Sequence, residues 1–210
     1  MLTATLTSPE ATETFAHLLA RSLAPPALVT LRGELGTGKT TLVRDALRAL
    51  GVDRVVASPS FTLAQSYEGA GGLRLHHLDL YRLGPGSDAA LFAWDDYLDG
   101  SAITFVEWPE AGAAELPPAD VEVLLGHRTL RSRFLELRAA PEVEGRLATA
   151  MTAAGIGDIV LIPGESAGAS PASPPTGPSS MAGPASPTTA SASPTTAPAA
   201  ALPADQRTAT

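Results

Sequence analysis

"GELGTGKT", Gly33–Thr40, is the stretch whose reading decides the fold. It satisfies G-x-x-x-x-G-K-[ST] in full. Its flanks agree with it. "ALVTLRG" (27–33) reads as a short apolar strand running into the glycine turn. From Lys39 onward Leu42, Val43, Ala46, Leu47 and Leu50 recur at helical spacing, and Gly51 closes the helix. A strand, a glycine turn and a helix N-terminus in that order make an anion cradle. Gly33, Gly36 and Gly38 allow backbone angles and close approaches that a side chain would block. The loop amides then point inward, and the helix adds about half a positive charge at its N-terminus. Lys39 extends a compact ammonium towards β- and γ-phosphates, and Thr40 offers a hydroxyl to Mg²⁺.

Lys39 is the single lysine among 14 basic residues, the others all being arginine. The planar guanidinium fork is larger and geometrically fixed, so it does not replace a small mobile cation at this point. Guanine-selective P-loop proteins carry N-K-x-D; this chain has no asparagine and no second lysine. ATP is therefore the expected nucleotide.

Helices and strands alternate along the rest of the ordered chain. Thr7 and Glu10 form a capping-box pattern, opening a helix expected over about 8–23. "RVVAS" (54–58), "LRLHHLDLYRL" (73–83) and "AITFVEW" (102–108) read as strands, "ALFAWDDYL" (90–98) as a helix, and "VEVLLGHRTLRSRFLELRA" (121–139) as two strands around a turn. "EGRLATAMTAAG" (144–155) reads as a last helix, and "DIVLI" (158–162) as a final extended piece. The expectation is an α/β, P-loop NTPase-like three-layer fold with a mixed, largely parallel sheet, occupying residues 1–162. Residues 163–210 hold ten prolines and no aromatic residue. Such a segment buries too little apolar surface to offset its ordering entropy, so a disordered tail is expected.

Bulk composition narrows the function classes. There is no cysteine, which excludes disulfides and thiolate metal sites. The net charge is −8, with no basic run of the kind that grips nucleic-acid phosphates. No signal peptide opens the sequence, and no 18-residue apolar run crosses a membrane. A cytoplasmic protein is the simplest reading.

A P-loop enzyme needs a carboxylate at the end of a second strand. "ITFVEW" supplies Glu107, followed by Trp108 and Pro109. "HHLDLYR" supplies Asp79, which strand alternation places on the face of Leu75 and His77. Asp79 either reaches metal-bound water or pairs with Arg82 or a histidine. The hydroxyls of "SPSFT" (58–62) either sense a γ-phosphate or form a plain turn. Trp108 either stacks on a base or a partner, or packs in the core.

Taken together and in this order, "GELGTGKTTLVR", "SPSFTL", "HHLDLYRL" and "VEWPE" resemble the TsaE family, also called YjeE, over roughly residues 5–139. The resemblance implies a small P-loop ATPase of tRNA threonylcarbamoyladenosine synthesis. It would act with a TsaD-type transferase and a TsaB-type subunit on adenosine 37 of tRNAs reading ANN codons, touching tRNA only through that assembly. It implies that Gly36, Gly38, Lys39, Thr40 and Thr41 bind ATP, with Gly33 and Thr37 completing the loop. Thr40 and Glu107 would hold Mg²⁺, and Asp79 would support hydrolysis alongside Lys39 and Glu107. Thr62 would belong to a switch segment, and Trp108 would shape the site or a partner surface. Glu34 and Thr37 depart from the commoner aspartate and alanine, and Ser60 from the commoner threonine. Two other readings share the P-loop: a nucleotide-dependent binding module with incidental hydrolysis, and a small-molecule kinase with Arg128, Arg131 and Arg133 as its arginine cluster.

Overall fold

The computed structural model describes residues 1–83, 92–156 and 160–161. The glycine turn joins strand β2 (Ala27–Arg32) to helix α2 (Lys39–Ala49), as its sequence requires. Around that unit lie β1 (Leu2–Leu6), α1 (Pro9–Ser22), β3 (Ala64–Glu68), β4 (Arg74–Asp79), β5 (Ile103–Glu107), β6 (Val121–His127), β7 (Arg133–Ala139), α3 (Pro141–Ala153) and β8 (Val160–Leu161). Among the described residues the eight strands form one sheet in the order β3-β4-β5-β2-β6-β7-β1-β8. The four central strands, β4, β5, β2 and β6, run parallel. Antiparallel pairs continue the sheet on both sides, β3 on β4 and β7, β1 and β8 beyond β6. The fold is thus mixed α/β with a parallel centre.

Strand alternation divides the core into two layers. Val29, Leu31, Leu75, Ile103, Phe105, Val123 and Leu137 face one way and pack with Phe15, Leu19, Leu42, Val43 and Leu147 of the three helices. Leu28, Leu78 and Val106 face the other way, beneath a layer built from Trp94, Phe92, Tyr97 and Trp108. That second layer uses short 3₁₀ turns, Trp94–Asp96 and Pro109–Gly112, among its coverings. His77, Asp79 and Glu107 share the helix-facing side with Leu75 and Phe105, so strand pleating alone aims the candidate acids at the glycine loop.

Several expectations need correction. α1 is capped by Ser8, whose Oγ accepts from the Ala11 amide at 3.2 Å, and not by the Thr7–Glu10 box. The cap sits one residue later because Pro9 occupies the first helical turn. Residues 54–58 form no strand. The sheet edge beside β4 is taken by β3, which a tight connection pairs antiparallel with it, while Val55 stays exposed. Within 90–98, residues 90–91 lie outside the described ones, and the rest makes only the 3₁₀ turn at Trp94–Asp96. The expected tail, 163–210, also lies outside the described residues. No described helix is long and apolar enough to cross a membrane.

The cap assignment gives a stability test. Ser8→Ala should cost about 1 kcal/mol, whereas Thr7→Ala, at an exposed position, should stay within about 0.5 kcal/mol. Urea denaturation midpoints of the two variants measure both.

Candidate functional site

Lys39 opens α2, and its helix is entered through Gly38 in the left-handed conformation (φ 102°, ψ 18°). The side chain is 4 % exposed and folds back over the loop. Its Nζ donates to the carbonyls of Gly33 (2.7 Å) and Glu34 (2.9 Å) and lies 3.7 Å from the centre of the Trp108 ring. Burial pushes the ammonium below the usual lysine range, and the carboxylates of Glu107, Glu110 and Asp79 oppose that push. The loop is braced from within and from the sheet. Thr37 Oγ1 donates to Glu34 O (2.9 Å), and Arg133 of β7 donates through Nε to Thr37 O (2.9 Å). These contacts occupy loop carbonyls, and carbonyls held this way favour the inward aim of the amides. Thr41 sits half-buried in the first turn of α2.

The two acids end neighbouring parallel strands as direct register partners, Asp79 opposite Glu107. Glu107 also pairs with Leu31, at the end of the strand that leads into the glycine loop. Each carboxylate is buried, 4 % and 2 % exposed, and each is hydrogen-bonded, as burial of such groups demands. Glu107 Oε2 accepts from Thr40 Oγ1 (2.9 Å), and its Oε1 accepts from His77 Nε2 (2.8 Å). Asp79 Oδ2 accepts from Ser58 Oγ (2.5 Å) and Ser60 Oγ (2.8 Å), and Oδ1 from the Tyr81 amide (3.2 Å). The segment 58–63 is therefore tied to a strand end. Its base is closed by the Leu63 amide on Pro59 O (2.6 Å) and the Asp79 amide on Leu63 O (2.9 Å).

Two non-glycine residues in this region hold positive φ, Leu63 (62°) and Trp108 (58°). Such a conformation costs on the order of 1–3 kcal/mol and persists where surroundings over-determine it. At Trp108 the chain leaves β5 in this left-handed turn with its amide on Leu31 O (3.2 Å). The turn sets the indole against the Lys39 ammonium and 4.9 Å from the Tyr81 ring.

Most of the residues expected from sequence meet at one place: Lys39 and Thr40 touch Trp108 and Glu107, and Asp79 stands beside Glu107. Thr62 is different. It is exposed and turns its hydroxyl back to Pro59 O (3.5 Å), while Ser58 and Ser60 make the contacts to Asp79. Reading the sequence did not pair His77 with Glu107 or Arg133 with the glycine loop. The signal for His77 was its shared strand face with Asp79; for Arg133, 96 residues from the carbonyl it holds, no local signal exists.

The donor set suits Mg²⁺, which keeps most of its waters and takes one or two protein oxygens together with substrate phosphates. A threonine hydroxyl beside one carboxylate meets that need. Among the described residues no cluster of three or more histidine, aspartate or glutamate side chains forms a metal cage.

The chain is similar to known proteins of one family. The family model described as threonylcarbamoyl adenosine biosynthesis protein TsaE matches residues 6–134. The tRNA threonylcarbamoyladenosine biosynthesis protein TsaE of Bacillus subtilis is 35 % identical over 118 residues, covering 56 % of this chain and 73 % of that one. The protein of the same name from Haemophilus influenzae is 39 % identical over 110 residues, covering 52 % and 69 %. The crystal structure of Bacillus subtilis YdiB superposes with a TM-score of 0.58 at 27 % identity, covering 74 % of this chain and 97 % of that one.

The glycines of the loop should not tolerate change equally. A Cβ on Gly33 (φ 137°) would lie 2.1 Å from the Leu125 carbonyl oxygen, whereas one on Gly36 (φ 77°) meets nothing within 4 Å. Both substitutions strain the backbone, but only Gly33→Ala must also displace β6. Gly33→Ala should lower the melting temperature well below that of Gly36→Ala, as read by differential scanning calorimetry.

Proposed function

The chain belongs to the TsaE family, and from that premise we propose that it is a Mg²⁺-dependent ATPase subunit serving threonylcarbamoylation of adenosine 37 in tRNA. The observation that carries this reading is the 2.9 Å contact between Thr40 Oγ1 and Glu107 Oε2 beside a buried Lys39. It unites a P-loop hydroxyl with a strand-end carboxylate, the pair a phosphate-bound cation requires.

The loop amides and the α2 N-terminus bind the phosphates, and Lys39 supplies a mobile charge for the β- and γ-oxygens. Trp108 limits where the ammonium can go, since its ring faces Nζ. Thr40 and Glu107 would hold Mg²⁺, which would supply charge neutralisation for the bound phosphates. Asp79 supports hydrolysis by accepting a hydrogen bond from the attacking water. Ser58 and Ser60 donate to the same Asp79 oxygen, so these hydroxyls compete with that water and couple the position of the 58–62 segment to turnover. Positioning and electrostatics supply nearly all of phosphoryl-transfer catalysis, and the site has parts for both.

TsaD-type and TsaB-type proteins are the partners in this reading, with hydrolysis resetting their assembly between turnovers in the cytoplasm. The net charge of −8 supports a subunit that meets tRNA only through them. The kinase alternative loses support, because Arg128 donates to Thr5 Oγ1 (2.9 Å) and Arg133 to Thr37 O. Those guanidinium groups brace the framework instead of lining a lid.

Lys39→Ala should abolish ATP turnover, and Lys39→Arg should lose on the order of 10²–10³-fold, since a planar, geometrically fixed guanidinium does not reproduce the compact mobile charge that Lys39 supplies. Steady-state phosphate release measures both. In a reconstituted tRNA-modification assay with both partner types, Glu107→Ala should stop multiple turnover. Continued multiple turnover would leave nucleotide binding alone as the function.

A further inference from the structure

His77 is wholly buried, 0 % exposed, on the helix-facing side of β4. Its Nε2 donates to Glu107 Oε1 at 2.8 Å, while Nδ1 has no hydrogen-bond partner among the described residues. A buried polar atom without a partner costs about 1–3 kcal/mol, and leucine on the same strand face, as at Leu75, would avoid that cost. The imidazole is therefore an expensive way to fill core volume. Its return is a single hydrogen bond to the one carboxylate oxygen that Thr40 does not engage.

That bond has a directional consequence. Parallel register sets Asp79 opposite Glu107 and His77 opposite Phe105, so His77 lies one pleat behind the acid on the same face. A glutamate side chain has three torsions and, with only Oε2 anchored, the carboxylate plane can swing. Anchoring Oε1 from behind fixes the plane and leaves the lone pairs of Oε2 turned towards Thr40. A carboxylate oxygen only accepts, so the ring proton belongs on Nε2, aimed at Glu107.

We propose that His77 is the positioning residue of the cation site: it holds Glu107 Oε1 so that Oε2 and Thr40 Oγ1 present a preformed pair of oxygens to Mg²⁺. The inference rests on the metal reading above and adds a residue to it. Outer hydrogen-bond partners of metal ligands act in this way, and losing one typically weakens metal affinity by about 10–100-fold.

The test uses the full chain and a fluorescent ADP analogue, titrated in EDTA and at a series of magnesium concentrations, with Mn²⁺ binding followed by electron paramagnetic resonance. His77→Phe should raise the magnesium needed for tight nucleotide binding by about tenfold or more, weaken Mn²⁺ binding in parallel, and leave affinity in EDTA unchanged. His77→Gln, whose Nε2 replaces the ring Nε2, should recover most of the loss. His77→Asn, whose donor falls at the Nδ1 position, should not. If the Phe variant does not fold, the contrast between Gln and Asn decides the matter. Wild-type magnesium dependence in the Phe or Asn variant would overturn the proposal. Equal loss of affinity in EDTA for Gln and Asn would also overturn it, marking His77 as a packing residue. If wild-type affinity itself ignores magnesium, the metal reading fails and takes this proposal with it; a magnesium-dependent wild type beside an unaffected variant removes His77 alone.

Discussion

The register between β4 and β5 sets Asp79 beside Glu107, and the site depends on that pairing. Two carboxylates are buried at adjacent strand ends, where each needs partners to offset lost hydration. The side-chain partners come from three parts of the chain: Thr40 from the glycine loop's helix, His77 from the strand beside Glu107, Ser58 and Ser60 from the segment after α2. A one-residue slip of β4 would turn His77 and Asp79 to the opposite face and break three of these four contacts. Folding the sheet correctly and assembling the site are thus the same event.

The left-handed residues extend this logic. Trp108 leaves β5 immediately after Glu107, and its turned backbone puts an aromatic face against the Lys39 ammonium. Leu63 closes the turn that holds Ser58 and Ser60 on Asp79 and gives its carbonyl to the Asp79 amide. Each strained residue therefore stands one step from an acid. Phe61, 85 % exposed in the same segment, is covered only on one side by the Arg82 guanidinium, 4.3 Å from its ring centre. A shift of residues 58–63 would move both the hydroxyls on Asp79 and this outer aromatic surface.

What was legible in the sequence is what local patterning writes. The glycine loop, β2, α2, β5 and the β6–β7 pair carry strong periodicity or a motif whose spacing is itself the geometry. β1 and β3 were missed, since "LTATL" (2–6) and "AQSYE" (64–68) are short and become strands by joining sheet edges, a tertiary effect. "RVVAS" has β-branched residues, but the place beside β4 is taken by β3. In the site, Lys39, Thr40, Asp79 and Glu107 were legible because each stands at a motif position. The links between them were not. His77 to Glu107 spans 30 residues and Arg133 to Thr37 spans 96, and only strand register brings such groups together.

The most direct measurement is calorimetric titration of ATP into the purified chain, with magnesium and again with EDTA. One saturable site, tightened by magnesium, is the predicted result for an ammonium, a helix N-terminus and a Thr40–Glu107 oxygen pair converging on one phosphate chain. A folded protein that takes up no ATP in magnesium, or takes it up no better than in EDTA, would contradict the account.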